Sequence, residues 1–308
     1  IYNIKMINNC SVVIPAYFPG KIIEKLFESV PPVKEILVFD NSNDHELEDL
    51  IKNKYEHIKY KPTGDIGLGN TFNKALREIK TDLMFITQPD VVIEKNCIEN
   101  LILAKKKYTH AALLAPLIFE NNQYSKYDHF DLKIDKNKKI KNFKIKNFKS
   151  VYPSGDFGVE AINSTSILID KKKIKQIGGW DNYYYTYLED VDLCYRVRKS
   201  NFEIIKVKNS RINHTGFQSH KSSKHEEVNI KRIFNFSKSS LYFDYKNKSK
   251  LFFYLQSFKN FIKITLKFLI NIILQKKKKI IINLTKLKAY YYFFFLENFG
   301  KRNIRLKQ

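Results

Sequence analysis

Apolar residues in this chain come in short runs that each end on polar ones. "SVVIPAY" (11–17), "EILVFDNS" (35–42) and "LMFITQPD" (83–90) are three such runs. Unbroken apolar stretches of this length predict strands buried on both faces, as in a parallel sheet. Between them, "GKIIEKLFESV" (20–30) and "NTFNKALREI" (70–79) repeat apolar residues at i, i+3 and i+4, which predicts helices with one dry face. The alternation predicts an α/β fold: a Rossmann-like, mostly parallel sheet flanked by helices, with its ligand site beyond the carboxyl ends of the strands. Asp40, Asn41, Gln88 and Asp90 fall at those ends.

The second part is less regular. "AALLAPLIF" (111–119) and the β-branched "INSTSILID" (162–170) predict strands, and 121–150 reads as a polar, lysine-rich hairpin or loop. "FEIIKVKNSRINHTGF" (202–217) predicts a strand ending in a loop that carries His214. "YLEDVDLCYRVRK" (187–199) predicts a helix with Glu189, Asp190 and Asp192 in its first turn and Arg196, Arg198 and Lys199 in its last. Such charges complement the helix dipole. They would equally suit carboxylates that face a reacting group, and the stretch alone supports both readings.

The formal net charge of +24 is concentrated rather than spread. From His220 onward there are 21 Lys and Arg against 4 acids, and 133–149 holds 8 lysines against one aspartate. Those two stretches account for the whole excess, so a neutral body carries a basic insertion (about 121–150) and a basic tail. That distribution, in a tail rich in Phe and Ile, argues against a nucleic-acid-binding protein, and no specific nucleic acid is expected as a partner. Beyond Ser219 the composition shifts, which divides the chain into a body, 1–219, and a basic amphipathic helical region, 220–308. Cys10, Cys97 and Cys194 lie far apart with no CxxC pair, which argues against a disulfide framework or zinc site and fits a reducing compartment. The first residues contain no long apolar stretch, so no secretory signal is expected.

The order of these pieces resembles the family 2 glycosyltransferases, within them the branch that looks like bacterial rhamnosyltransferases. The matching pieces are "SVVIPAY", "VFDNSND", "GDIGLGNTFNKAL", "TQPDV", "GGWDNYYYTYLEDVDLCYRVRK" and "RINHTG", spanning residues 10 to 217. The resemblance implies the fold called GT-A, a nucleotide-sugar donor, a divalent metal (Mg²⁺ or Mn²⁺) and inversion at the anomeric carbon. By position it assigns Asp40 to the nucleotide base or ribose, with Pro15, Ala16, Tyr17 and Asn41 lining that side. Asp65, Gly67 and Gln88 complete the nucleotide-sugar site. Asp90 would hold the metal that bridges the donor diphosphate, and His214 would be a second ligand or a diphosphate contact. Asp190 would be the general base with Glu189 supporting it, and Trp180 and Asp181 would shape the acceptor side.

These residue types suit the chemistry in its own right. A departing nucleotide diphosphate concentrates negative charge, which a cation neutralises in the transition state. Mg²⁺ often takes one or two carboxylates plus phosphates and water. The attacking hydroxyl must lose a proton, and a carboxylate in reach that takes it contributes about 10²–10⁴-fold. Other readings stand beside these. Asp40 would also cap a turn in "DNSND", and Gly67 and Gly69 lack the spacing of a dinucleotide fingerprint and read rather as a turn. Two positions depart from the family. Gln88 stands where an acid or Asn is common, which implies a weaker or water-mediated metal, or more reliance on His214. Asp65 replaces a common Asn, which bears on donor preference. The rival to a transferase is a degenerate relative that binds donor or glycan without turnover.

In "LFFYLQSFKNFIKITLKFLINIILQKKKK" (251–279) the polar positions 259, 263, 267, 271 and 275 trace one narrow stripe of a helix. About a dozen apolar residues at roughly −0.5 kcal/mol each are outweighed by three lysines at up to roughly +3 each, so spanning a bilayer is disfavoured. The expectation is a helix lying in the interface, with Lys276–Lys279 at anionic headgroups and "AYYYFFFLENF" (289–299) anchoring beside it. Residues 250–300 would thus meet an anionic membrane surface. The alternative is that these helices pack on the catalytic domain or on a second subunit, as in a homodimer. The protein expected from sequence is a cytoplasmic enzyme, peripheral on the inner face of the cell membrane. It would move a sugar from dTDP-rhamnose or a UDP-sugar to a hydroxyl of a lipid-linked or growing cell-envelope glycan.

Overall fold

A computed structural model of the chain describes residues 7–125, 128–134, 140–144, 152–215 and 225–296. The first half alternates as the pattern requires: β1 (Ile7–Ala16), α1 (Ile23–Ser29), β2 (Val33–Asp40), α2 (His45–Lys54), β3 (Ile58–Pro62), α3 (Leu68–Glu78) and β4 (Leu83–Thr87). There follow β5 (Val91–Ile93), α4 (Cys97–Lys107), β6 (Ala111–Glu120), β7 (Gln123–Tyr124), β8 (Asp131–Ile134), β9 (Ile140–Lys144), β10 (Phe157–Gly158) and β11 (Ser166–Asp170). The chain continues through α5 (Lys171–Gln176), α6 (Glu189–Lys199) and β12 (Glu203–His214) to α7 (His225–Asn247), α8 (Lys250–Ile273) and α9 (Lys277–Tyr291).

The runs form strands because both sides of the sheet are covered. On β1, Val13 packs with Leu37, Phe72 and Met84 on one side, while Val12 and Ile14 join Ile23, Leu26 and Phe85 on the other. The sheet order is β10-β12-β6-β11-β4-β1-β2-β3. β1 to β4 are parallel, and β11 runs antiparallel to both β4 and β6, so β6 and its parallel neighbour β12 point the same way as β4. The sheet is therefore mixed, with its long strands in one direction save β11.

Three details differ from the sequence expectation. The first helix opens with a 3-10 turn, Gly20–Ile22. The 162–170 run yields a strand only from Ser166, because Asn163 Oδ1 accepts the Thr165 N–H (3.2 Å) in a local turn that competes with the ladder. His214 sits at the end of β12, not in a loop, since β5 pairs with it across Val91. In the basic insertion β8 and β9 pair antiparallel, in keeping with the hairpin reading, and residues 126–127, 135–139 and 145–150 lie outside the described residues.

The tail does not stand apart. Leu241, Tyr242 and Phe243 of α7 belong to the same core as Phe72 and Tyr184. α8 and α9 fold back on each other, with ring contacts Phe261–Tyr290 (5.9 Å) and Phe253–Phe293 (5.9 Å). Among the described residues no helix is long and apolar enough to cross a membrane.

Candidate active site

The carboxyl ends of β1, β2 and β4 open on one edge. At β2, Asp40 is fully buried and both of its oxygens are engaged. Oδ1 accepts from Ser42 N (2.8 Å) and Ser42 Oγ (2.5 Å), and Oδ2 from Asp44 N (2.6 Å) and Tyr60 OH (2.7 Å). Its carboxylate thus folds the "DNSND" turn, the capping reading of the two. Asn41 is fixed beside it: its N–H donates to Ala16 O (2.8 Å), and its Oδ1 accepts from Thr71 Oγ (2.8 Å). Pro15 and Ala16 are buried in the β1–β2 pairing, opposite Phe39 and Asp40, which leaves Tyr17 as the first partly exposed side chain of that edge.

Gly67 carries φ of +80°, and a Cβ there would lie 2.4 Å from Tyr185 O. A glycine is needed because the main chain of the 180s loop presses on it, with Leu68 N donating to Tyr185 O (2.7 Å). This close approach explains the glycine without a phosphate cradle. Asp65, just before, receives both Tyr185 OH and Lys231 Nζ.

At the end of β4 the pairing of β5 with β12 brings Asp90 against His214. Asp90 is 2% exposed, and its Oδ1 has no hydrogen-bond partner although His214 Nε2 lies 3.5 Å away. His214 Nδ1 in turn faces Glu120 Oε1 at 3.5 Å. Burial alone would lower the His214 pKa, but Asp90 and Glu120 outweigh it and hold the imidazole above its usual value. An orphaned carboxylate oxygen and an imidazole nitrogen facing it are a donor set that fits a hard divalent ion completed by phosphate and water. Among the described residues no cluster of three or more His, Cys, Asp or Glu gathers around them. Gln88, two residues earlier, is tied by its N–H to Thr165 O (3.0 Å).

That bond leads to the acids of α6, because Ser164, next to Thr165, has its Oγ 3.5 Å from Glu189 Oε1. The three acids that look alike in sequence have different surroundings. Asp192 is fully buried and neutralised by Arg196 Nε (2.7 Å) and Lys246 Nζ (2.5 Å). Glu189 is 3% exposed with Oε2 unpartnered, and burial, then the charge of Asp190, pushes its pKa up. Asp190 is half-buried, accepts the Val191 N–H (2.8 Å), and is likewise raised by burial. Tyr187 (φ +67°) and Leu188 (φ +64°) are both left-handed immediately before the helix. Two consecutive non-glycine residues in that region store strain of the kind found at functional sites. The arrangement leaves one carboxyl, Asp190, both partly accessible and proton-hungry.

The fold and this edge can be set beside known proteins. The family model described as "Glycosyl transferase family 2" matches residues 11–168, just over half of the chain. The chain belongs to that family. It is 24% identical over 230 residues to the N-acetylglucosaminyl-diphospho-decaprenol L-rhamnosyltransferase of Mycobacterium tuberculosis (strain H37Rv), covering 66% of this chain and 75% of that one. Its fold is similar to the crystal structure of S. aureus TarS 1–349 in complex with UDP-GlcNAc (TM-score 0.51, 17% identity, 79% of this chain and 68% of that one). It is also similar to GalNAc-T7 with UDP, GalNAc and Mn²⁺ (TM-score 0.52, 16% identity), where the match covers 67% of this chain and 43% of the other. The fold is GT-A-like, and the protein is a glycosyltransferase.

In this glycosyltransferase the residues assigned to the acceptor side are not surface groups. Trp180 is 2% exposed, packs on Phe72 (ring centroids 5.2 Å apart) and is clamped through its backbone by Asn73. It can shape an acceptor site only through the loop it anchors. Asp181 accepts from Tyr183 N (3.0 Å), Tyr242 OH (3.0 Å) and Lys246 Nζ (2.7 Å). Burial would raise its pKa, but Lys246 and these hydrogen bonds hold it below the usual carboxylate range.

The sequence reading missed the contribution of α7. Lys231 Nζ sits 3.3 Å from Tyr17 OH and over the rings of Tyr17 (5.0 Å) and Tyr185 (5.2 Å), beside Asp65. Lys246 ties Asp181 to Asp192. A signal did exist: Lys231, Asn235, Lys238, Tyr242 and Lys246 recur at helical spacing and form a polar stripe. It is not a wet face: Asn235, Lys238 and Tyr242 are under 9% exposed.

Proposed function

We propose that this glycosyltransferase moves a sugar, with inversion, from a nucleotide diphosphate donor to a hydroxyl of a lipid-linked or growing cell-envelope glycan. dTDP-rhamnose is the first candidate donor and a UDP-sugar the second. The observation that carries the reading is the half-buried, proton-hungry Asp190 at the start of α6, whose neighbour Glu189 is linked by Ser164 Oγ, and through Thr165 O by the Gln88 N–H, to the edge where Asp90 and His214 meet. The Asp190 carboxylate takes the proton of the acceptor hydroxyl as that oxygen attacks the anomeric carbon. The bond from that carbon to the diphosphate breaks, and its electrons leave with the nucleotide diphosphate. Glu189, buried behind, keeps the site short of charge.

Asp90 and His214 would hold Mg²⁺ or Mn²⁺, which when bound offsets the charge gathering on the leaving diphosphate. Tyr17, Asn41, Asp65, Gly67 and Gln88 border the donor side, with Asp40 and Pro15–Ala16 shaping it from beneath. The rhamnose preference and the lipid-linked acceptor are supported by the mycobacterial relative, whose name describes both. In this reading the catalytic body 1–219 works together with the tail 220–308, whose α7 shares its core, and the work is done at the inner face of the cell membrane. The rival reading, donor binding without turnover, has Gln88 in its favour because glutamine brings no charge to the metal.

The test is nucleotide diphosphate release from a panel of nucleotide sugars, with Mg²⁺, Mn²⁺ or EDTA and with lipid-linked acceptors present. Metal-dependent release from one donor is expected. Donor binding without release under every condition would establish the degenerate reading instead.

A further inference from the structure

We propose that the outward face of the α8–α9 hairpin lies flat on an anionic phospholipid surface, an inference that rests on the membrane-side reading above and names its partner. One side of α8 turns inward, with Phe253 and Ser257 buried. Opposite, Leu255, Phe258, Ile262, Leu266, Leu269 and Ile273 recur in steps of three and four residues, the period of a helix, and are 43–79% exposed. They draw one straight apolar line of about 27 Å at 1.5 Å per residue. Flanking positions widen it, since Tyr254, Phe261, Ile270 and Ile272 are exposed as well. Soluble surfaces rarely leave so large a contiguous apolar face uncovered. At the end of α9 and just after it, Tyr291 and Phe295 stack at 5.4 Å and are 57% and 76% exposed, aromatic rings of the kind that settle at headgroup depth.

Charge decides between a bilayer and a second copy of the chain. Residues 250–291 hold ten lysines and no acid. Lys259, Lys263 and Lys267 follow one another at helical spacing along one flank of the apolar line, and Lys276–Lys279 cluster at the turn of the hairpin. Two copies meeting through this face would bring lysine against lysine with no carboxylate to answer them. A sheet of anionic headgroups answers all of them at once. The face is too wide for the narrow seam of a coiled coil and suits immersion to the depth of the acyl boundary. Among the described residues no helix is long and apolar enough to cross a membrane.

The full chain should sediment with vesicles of equal phosphatidylcholine and phosphatidylglycerol at least about tenfold more strongly than with phosphatidylcholine alone, and less strongly as salt rises. The double variant Phe258→Glu, Leu269→Glu changes only exposed positions and should lose sedimentation while keeping its melting temperature. Failure of the wild-type chain to bind either vesicle would overturn the proposal. So would a wild-type dimer that the double variant converts to a monomer, since the face would then be a subunit interface. The vesicles contain neither sugar donor nor glycan. The result therefore stands whatever sugar is moved, and binding without transfer would count against the acceptor reading alone.

Discussion

Asp190→Asn is expected to lower the turnover number for sugar transfer by about 10²–10⁴-fold while donor affinity is kept. In the proposed reaction the carboxylate takes the hydroxyl proton, and the amide has nearly the same shape but no basicity. The stability of the variant separates this from misfolding. Burial raises the pKa of both Glu189 and Asp190, so the folded state holds their protons more tightly than the unfolded chain does. Their ionisation therefore costs stability, a cost absent at acid pH that grows as pH rises through the raised values. Asparagine removes part of it, so the melting temperature at neutral pH should be equal or higher. In the wild type, the rate should fall with decreasing pH on a limb displaced upward from the ordinary aspartate value of about 3.9. Rate profiles and thermal melts of the two proteins measure both effects. Undiminished transfer by the variant would remove Asp190 from the role of base.

The second large effect is expected at Asp90. Asp90→Ala should weaken Mn²⁺ binding in the presence of nucleotide diphosphate by at least about 100-fold, since loss of even an outer partner of a metal ligand costs 10–100-fold. The readout is paramagnetic resonance of bound Mn²⁺, which needs no turnover. The reason is geometric: Asp90 Oδ1 is buried and lacks a hydrogen-bond partner, and His214 Nε2 faces it at 3.5 Å. Unchanged Mn²⁺ affinity would move the ligand role elsewhere. Wild-type levels of transfer in EDTA would show that the reaction needs no metal at Asp90.

The core strands were legible because a strand covered on both faces has to be apolar throughout, so β1, β2 and β4 announce themselves and the polar residues after them mark the edge. The meeting of Asp90 with His214 was not legible as a contact. It depends on β5, three residues long and too short to show a period, pairing with the far end of β12. Nor could the sequence sort Glu189, Asp190 and Asp192, whose differences come from Lys246, Ser164 and depth of burial. Trp180 was placed near the acceptor by its motif, whereas its indole fills the core under α3. The inward turn of the α7 polar stripe was not legible for a physical reason: amphipathic patterns send polar groups to water unless charges are waiting inside, and Asp181 and Asp192 lie on other segments.

That same stripe bears on how such enzymes can be shuffled between lineages. Lys246 answers two carboxylates, one of them fully buried. Breaking a buried pair costs up to about 3–5 kcal/mol, less here because Arg196 still answers Asp192, yet a sizeable share of the roughly 5–15 kcal/mol that holds a domain folded. The break in composition after Ser219 is thus no place for a genetic joint. An exchange that gives this transferase different terminal helices, without dismantling the helix whose lysines answer those acids, has to fall after Lys246, well inside what composition reads as the tail.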